Sequence, residues 1–132
     1  ASDHEKKIRS LQLGPNNFFA TASQDSTLKF WRLKHTGIYE VDDWGTLKTT
    51  FPVNCMTWSA SGKKLILGMA IPENSEDHQL VILTTEEIET RNVRRRNVEA
   101  KPHTKSINAA SFIEENSFVT AGADKKIYGW TF

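Results

Sequence analysis

"TASQDSTLKFW" (residues 21–31) and "TAGADKKIYGW" (residues 120–130) set Thr, Asp and Trp at the same spacing near the two ends of one 132-residue chain. Laying residues 4–33 on 103–132 needs no gap. Nine of thirty positions are then identical: His4/His103, Lys6/Lys105, Ile8/Ile107, Asn17/Asn116, Phe19/Phe118, Thr21/Thr120, Ala22/Ala121, Asp25/Asp124 and Trp31/Trp130. Unrelated segments would share roughly two, so the pattern reads as an internal structural repeat. A weaker third copy lies between them. "VNCMTWSASGKKLILGMA" (53–70) follows "IRSLQLGPNNFFATAS" (8–23) with a longer turn, and "QLVIL" (79–83) stands where "LKFWRL" is expected.

Each unit reads as β. "KIRSLQL", "CMTWS" and "INAASF" are short runs with apolar or alternating character, and they end in the turn clusters "GPNN", "SASGKK" and "IEEN". "FFATAS", "KLILGMA" and "SFVTAG" follow as second strands, then "TLKFWRL", "QLVILT" and "KKIYGWTF" as thirds. A more polar fourth strand is expected at "GTLKTTF" (45–51) and at "RNVRRRNV" (91–98). No segment holds a 3.6-residue apolar period long enough to predict a helix. Two loops, "KHTGIYEVDDW" and "IPENSEDHQ", stretch the middle spacings. Four strands per unit over residues 4–48, 49–98 and 99–132 predict an all-β chain. Its architecture is one β-propeller segment, residues 1–132, of about three four-stranded antiparallel blades, the last incomplete.

These residues resemble the WD-repeat β-propeller family over essentially the whole chain, most closely in the first and third repeats. The family carries a Trp on the third strand, an Asp in the turn before it, a Ser or Thr on the second strand and a His before the first. The matching residues are Trp31, Asp25, Thr21 and His4, then Trp130, Asp124, Thr120 and His103. The chemistry of the four types explains the set. An indole N–H only donates, a hydroxyl accepts and donates, a neutral imidazole has one nitrogen of each kind, and a carboxylate only accepts. Trp to Thr to His to Asp is therefore a directed chain that staples the third strand to the loop before the first. Thr, His and Asp also compose a catalytic triad, but a nucleophile must be reachable, and the reading taken is structural. Two features depart from the family. Arg32 and Thr131 follow the tryptophans, so the Trp-Asp dipeptide is absent, and Asp3 and Pro102 precede the histidines where Gly is usual. The middle repeat lacks the Asp and Trp and is expected to be held by packing of Val53, Trp58, Leu65, Leu67, Val81 and Leu83.

Composition excludes several classes. Charged residues are 25% and nearly balanced at net +1, which gives no general pull toward nucleic acid or membrane. No run approaches the ~20 apolar residues of a membrane helix, and "ASDHEKKIRS" has no apolar signal region. An intracellular location, cytoplasm or nucleus, is expected. The one cysteine, Cys55, lies in the apolar run "VNCMTW" and reads as core filler. The run Arg91, Arg94, Arg95, Arg96 is either a basic patch for phosphate or an acidic partner, or an edge strand whose charges discourage aggregation. The second is preferred, because no aromatic platform is interleaved with it. Glu73, Glu76 and Asp77 beside His78 lack specific ligand spacing, and His35 stands alone in a polar loop. No metal, cofactor or enzymatic activity is expected.

The resemblance implies a rigid platform for other proteins or peptides, within a multi-protein assembly. The alternative is a chromatin- or nucleic-acid-associated propeller using the arginine run. Open sheet ends imply a fragment of a larger ring or a ring completed by another propeller chain. In the family, partner contacts recur on the top face, just before and after the first apolar residue of the first strand and just before the turn Asp. Carried over, these are Lys7, Arg9 and Gln24, then Ser106, Asn108 and Ala123, with Pro52 and Asn54 in the middle blade. The loop "IPENSEDHQ" is expected to rise from the same face.

Overall fold

The computed structural model describes residues 4–15, 17–35, 39–49, 51–72, 79–90, 92–94, 96–98 and 100–132. The first sheet runs β1 (Ile8–Leu13), β2 (Phe18–Ser23), β3 (Thr27–His35) and β4 (Tyr39–Lys48), each strand antiparallel to the last. The second runs β5 (Val53–Trp58), β6 (Lys64–Met69), β7 (Leu80–Thr84) and β8 (Arg96–Asn97), with a helical turn α1 (Thr85–Glu89) between β7 and β8. The third has three strands, β9 (Ile107–Glu114), β10 (Ser117–Gly122) and β11 (Ile127–Thr131). Up-and-down meanders follow from the turns: Asn17 (φ 64°), Ser26 (φ 63°) and Lys125 (φ 65°) take left-handed conformations, the last two at equivalent positions of the repeat.

The innermost strands β1, β5 and β9 pack in that order, so the sheets are blades stacked side by side. Between the first two lies a core of Ala20, Ala22, Leu28 and Phe30 against Val53, Met56, Leu65, Leu67, Val81 and Leu83. Between the last two, Cys55, Ile66 and Leu80 meet Ile107 and Phe118, with Phe112 and Trp130 beside them. Each strand's side chains alternate, so one face of the middle blade fills the first core and the other face fills the second.

Every blade carries a bulge at the same place in its first strand: Ile8/Ser10, Val53/Cys55 and Ile107/Ala109 oppose consecutive residues of the second strand. The pairing aligns Thr21 with Leu67 and Thr120, and Trp31 with Leu83 and Trp130. The middle blade thus holds two fully buried leucines where its neighbours hold a hydrogen-bonded Thr and Trp.

Two expectations need correction. The first is the loop "KHTGIYEVDDW", which is mostly strand: β3 continues to His35 and β4 begins at Tyr39, forming one long hairpin. Its acidic residues hid the pattern, and a bulge between Phe30 and Trp31 shifts the register. The second is the fourth strand expected over 91–98, which shrinks to Arg96–Asn97. The preceding residues wind into α1, too short to show a period.

Candidate functional site

The repeated His, Thr, Asp and Trp residues converge in both outer blades, but by two different routes. In the third blade Trp130 Nε1–H donates to Thr120 Oγ1 at 2.9 Å, and Thr120 lies 2.9 Å from His103 Nε2. The hydroxyl accepts from the indole and donates to Nε2, which places the ring proton on Nδ1. Nδ1–H faces Asp124 at 3.0 and 3.2 Å. In the first blade Trp31 donates to Thr21 at 2.9 Å and Thr21 meets His4 Nε2 at 2.7 Å. Asp25, however, stands 3.7 Å from His4 Nδ1, beyond a hydrogen bond. Thr27 is interposed: Nδ1–H donates to its Oγ1 at 3.1 Å, and its hydroxyl donates to Asp25 Oδ1. The first relay has five members, not four.

One position accounts for the difference. At Gly122 an added Cβ would lie 2.5 Å from His103 Nδ1 and 2.6 Å from Asp124 Oδ1. Glycine there lets imidazole and carboxylate close up. The equivalent residue in the first blade is the buried Ser23, whose hydroxyl donates to Lys6 O at 3.0 Å and accepts from Asp25 N–H at 3.2 Å. Ser23 holds ring and carboxylate apart, and Thr27 fills the gap; Lys126 stands at Thr27's place in the third blade. Burial alone would raise the Asp25 carboxyl. The Thr27 hydroxyl, the backbone N–H groups of Glu5 and Thr27, and the Ser23 hydroxyl outweigh it and lower the pKa from 3.8 to about 2. Asp124 is lowered too: burial opposes, and His103, Thr104 N–H and Lys126 N–H prevail. Thr21 and Thr120 are buried, so no substrate reaches either hydroxyl. Cys55 is likewise buried, and desolvation pushes its thiol up to about 11.

On the upper rim one backbone hydrogen bond recurs in every blade. Gln24 N donates to Lys7 O at 2.9 Å, Ala70 N to Pro52 O at 2.8 Å, and Ala123 N to Ser106 O at 2.9 Å. It brings together the expected contact positions of each blade and identifies Ala70 as the middle blade's third member. Lys7, Arg9, Gln24, Asn108 and Ala123 are exposed; Pro52, Asn54, Ala70 and Ser106 are half-buried. Asn54 turns sideways, and its Nδ2–H donates to Ile107 O of the next blade at 3.2 Å. Ser106 Oγ donates to Ile71 O at 2.9 Å.

The buried Gln79 was not visible in the sequence pattern. Its amide accepts from His103 N at 3.1 Å and donates to His103 O, tying the middle blade to the third relay. Thr27 was missed as well: the repeat places Lys126 at its equivalent position, so the spacing gives no sign of a hydroxyl bridge. Of the arginine run, Arg94 and Arg96 are exposed. Glu87 engages both, accepting from the Arg96 guanidinium and, at 2.9 Å, from Arg94 N–H. Arg91, Arg95, Glu73, Glu76, Asp77, His78 and the side chain of His35 lie outside the described residues. Among the described residues no cluster of His, Cys, Asp or Glu suits a metal, and no helix is long and apolar enough to cross a membrane.

The family model described as WD domain, G-beta repeat matches residues 2–32 and 96–131, about half of the chain and both relay-bearing repeats. The chain belongs to the WD40 repeat family. Its middle repeat falls outside the match, as expected of a WD40 blade whose Thr and Trp are leucines. No curated protein sequence matches the chain. Solved structures share the fold. In the crystal structure of the Mitotic Checkpoint Complex, 98% of this chain superposes on 37% of the matched chain, with a TM-score of 0.75 and 18% identity. For the RRP9 WD40 repeats the values are 98%, 37%, 0.71 and 17%. The Myceliophteria thermophila Cps50 (Swd1) β-propeller domain gives 95%, 38%, 0.71 and 12%. The WD40 chain therefore spans well under half the length of these neighbours.

Proposed function

We propose that the chain is part of a protein-interaction scaffold and that its partner, a protein or peptide, docks on the upper rim with Lys7 and Arg9 as anchors. The observation that carries this reading is the recurrent rim geometry. The same backbone hydrogen bond presents Lys7/Gln24, Pro52/Ala70 and Ser106/Ala123 in register on one face. Exposed Lys7 and Arg9 flank Ile8 where the first strand begins. Arginine is enriched among interface hot spots, and a rigid rim places it without much ordering cost. Membership of the WD40 family and a structural neighbour from the Mitotic Checkpoint Complex support a scaffold within an assembly. The arginine run is a weaker candidate, because Glu87 already engages the Arg96 guanidinium.

The test uses the protein purified with its native complex. Arg9→Ala and Lys7→Ala should each weaken partner retention, by about 1 kcal/mol or more for Arg9, with no change in melting temperature. Normal retention in both, with loss in Arg94→Ala/Arg96→Ala, would move the site to the outer edge. Retention that falls steeply with salt and follows added duplex or single-stranded nucleic acid would replace the protein partner with a phosphate backbone.

A further inference from the structure

The first and third blades share a charge arrangement at the upper rim: carboxylates face in and cations face out. The side chains of the turn acids Asp25 and Asp124 are only 7% and 4% exposed. Asp25 accepts from the backbone N–H groups of Glu5 and Thr27 at 2.9 Å each, and Asp124 from those of Thr104 and Lys126 at 3.1 Å each. Each carboxylate is thus engaged by its own blade. Around them Lys6, Lys7 and Arg9 are exposed in the first blade, and Lys105, Lys125 and Lys126 in the third. Among the described residues of these two rims, Glu5 is the one exposed acid. The middle blade has no charge at its rim positions Pro52, Asn54 and Ala70. The backbone beneath the cations is tied down. Lys6 O accepts from Ser23 Oγ, and Lys7 O from Gln24 N–H. In the third blade Tyr128 Oη donates to Pro102 O at 3.2 Å, the Gln79 amide bonds both backbone groups of His103, and Ser106 Oγ reaches Ile71 O. Gln79 and Ile71 belong to the middle blade, so the third cluster is held against the blade on which the first also packs.

Resting on the rim reading above, we propose that the docking segment of the partner is an acidic peptide. Its carboxylates lie on the cations of the first and third blades, and an uncharged stretch between them crosses Pro52 and Ala70. Two like-charged clusters on fixed backbone select an anion by complementarity and hold it at little ordering cost. Arg9 can take a carboxylate with two parallel N–H donors, and the lysines act as point charges. A nucleic-acid strand fits this rim less well. Its backbone repeats a negative charge at every step, and the neutral middle blade interrupts the row of cations.

The test uses the protein isolated as it exists in its cell and stripped of its partner. The probe is a fluorescent peptide with a block of glutamates at each end of a short Gly/Ala linker, read by anisotropy. Its controls are the same peptide with Gln for Glu and a single-stranded DNA of equal length. The acidic peptide should bind about tenfold tighter than the Gln peptide, and tighter than the DNA. Lys6→Glu/Lys7→Glu and Lys125→Glu/Lys126→Glu should each weaken it about fivefold. Lys63→Glu, in the turn at the far end of the middle blade, should leave it unchanged. All five lysines except Lys63 lie on the rim, and all are exposed, so the melting temperature should not move. With Lys125→Glu/Lys126→Glu, a peptide with lysines in one block should recover binding. Equal binding of the Gln peptide, no binding of the acidic one, or an equal loss in Lys63→Glu would overturn the proposal. Tighter binding of the DNA through the same lysines would replace the peptide with a phosphate backbone. Retention of the partner in the native complex separates this from rim docking itself. If Arg9→Ala and Lys7→Ala release the partner while the acidic peptide is indifferent to both, the acidic class falls and the rim stands.

Discussion

The relay is the smallest unit in which the fold can be tested. Thr120 accepts from Trp130 and meets His103 Nε2, so Thr120→Val leaves two buried groups without partners. Each orphan costs about 1–3 kcal/mol, and a urea melt should show the loss in full. The middle blade, with Leu67 and Leu83 at these positions, shows that removing donor and acceptor together is tolerated. Thr120→Leu with Trp130→Leu should therefore cost less than the sum of the single changes. The two relay geometries make a second test. Gly122→Ser puts a Cβ against His103 and Asp124 and should destabilise. Adding Lys126→Thr supplies the hydroxyl bridge of the first blade and should recover part of the loss, with a coupling of at least ~0.5 kcal/mol in a double-mutant cycle. Acid acts through the carboxylates. Asp25 titrates at about 2 in the folded chain against an ordinary 3.8, so protons favour the unfolded state. Its contribution is complete above the ordinary value and lost as pH falls toward 2. Asp124 and Glu115 are shifted the same way, Asp124 by the groups around it and Glu115 by the Ser61 hydroxyl and N–H. Melting temperature should fall on acidification through this window, and Asp25→Asn should flatten the fall.

At the scale of elements, strands written as short apolar or alternating runs were legible, and the stretches around the two long connections were not. "KLILGMA" becomes β6 (Lys64–Met69) because apolar residues face cores on both sides. The α1 turn hides because its stability comes from a residue far away in sequence. Trp44 on β4 donates from Nε1 to the carbonyls of Ile88 (3.1 Å) and Glu89 (3.3 Å). It thus caps a helix with no basic residue in its last turn. The Trp44 ring also meets Phe18 edge-on at 5.3 Å, and Arg32 packs on both rings at 5.6 and 5.8 Å. Trp44→Phe keeps most of the ring contacts and loses only the donor. It should cost about 1 kcal/mol and speed amide exchange at Thr90 and Asn92, whose N–H groups bond back to Glu86 and Glu87.

For the whole molecule, the match of residues 4–33 to residues 103–132 is its own control. Ile8 is 55% exposed and Ile107, its equivalent, 0%. The sequence is alike at both places, so the difference is the neighbour: the Ile107 side of the third blade packs on the second, and nothing among the described residues packs on the Ile8 side of the first. Identical residues carry no record of which copy is covered. The order of blades and the relay members were readable from spacing. The sideways turn of Asn54, the interposed Thr27 and the tie from Gln79 to His103 were not, because each depends on contacts across blades or on a single Cβ. We infer that a protein partner docks on the upper rim of this WD40 segment. Amide exchange, followed by mass spectrometry on the native complex and on the same protein stripped of its partner, tests it most directly. Docking on the rim should slow exchange in the complex at residues 5–9, 24–26 and 51–54 and leave residues 92–98 unchanged. Protection confined to residues 92–98, with the rim exchanging alike in both samples, would contradict it.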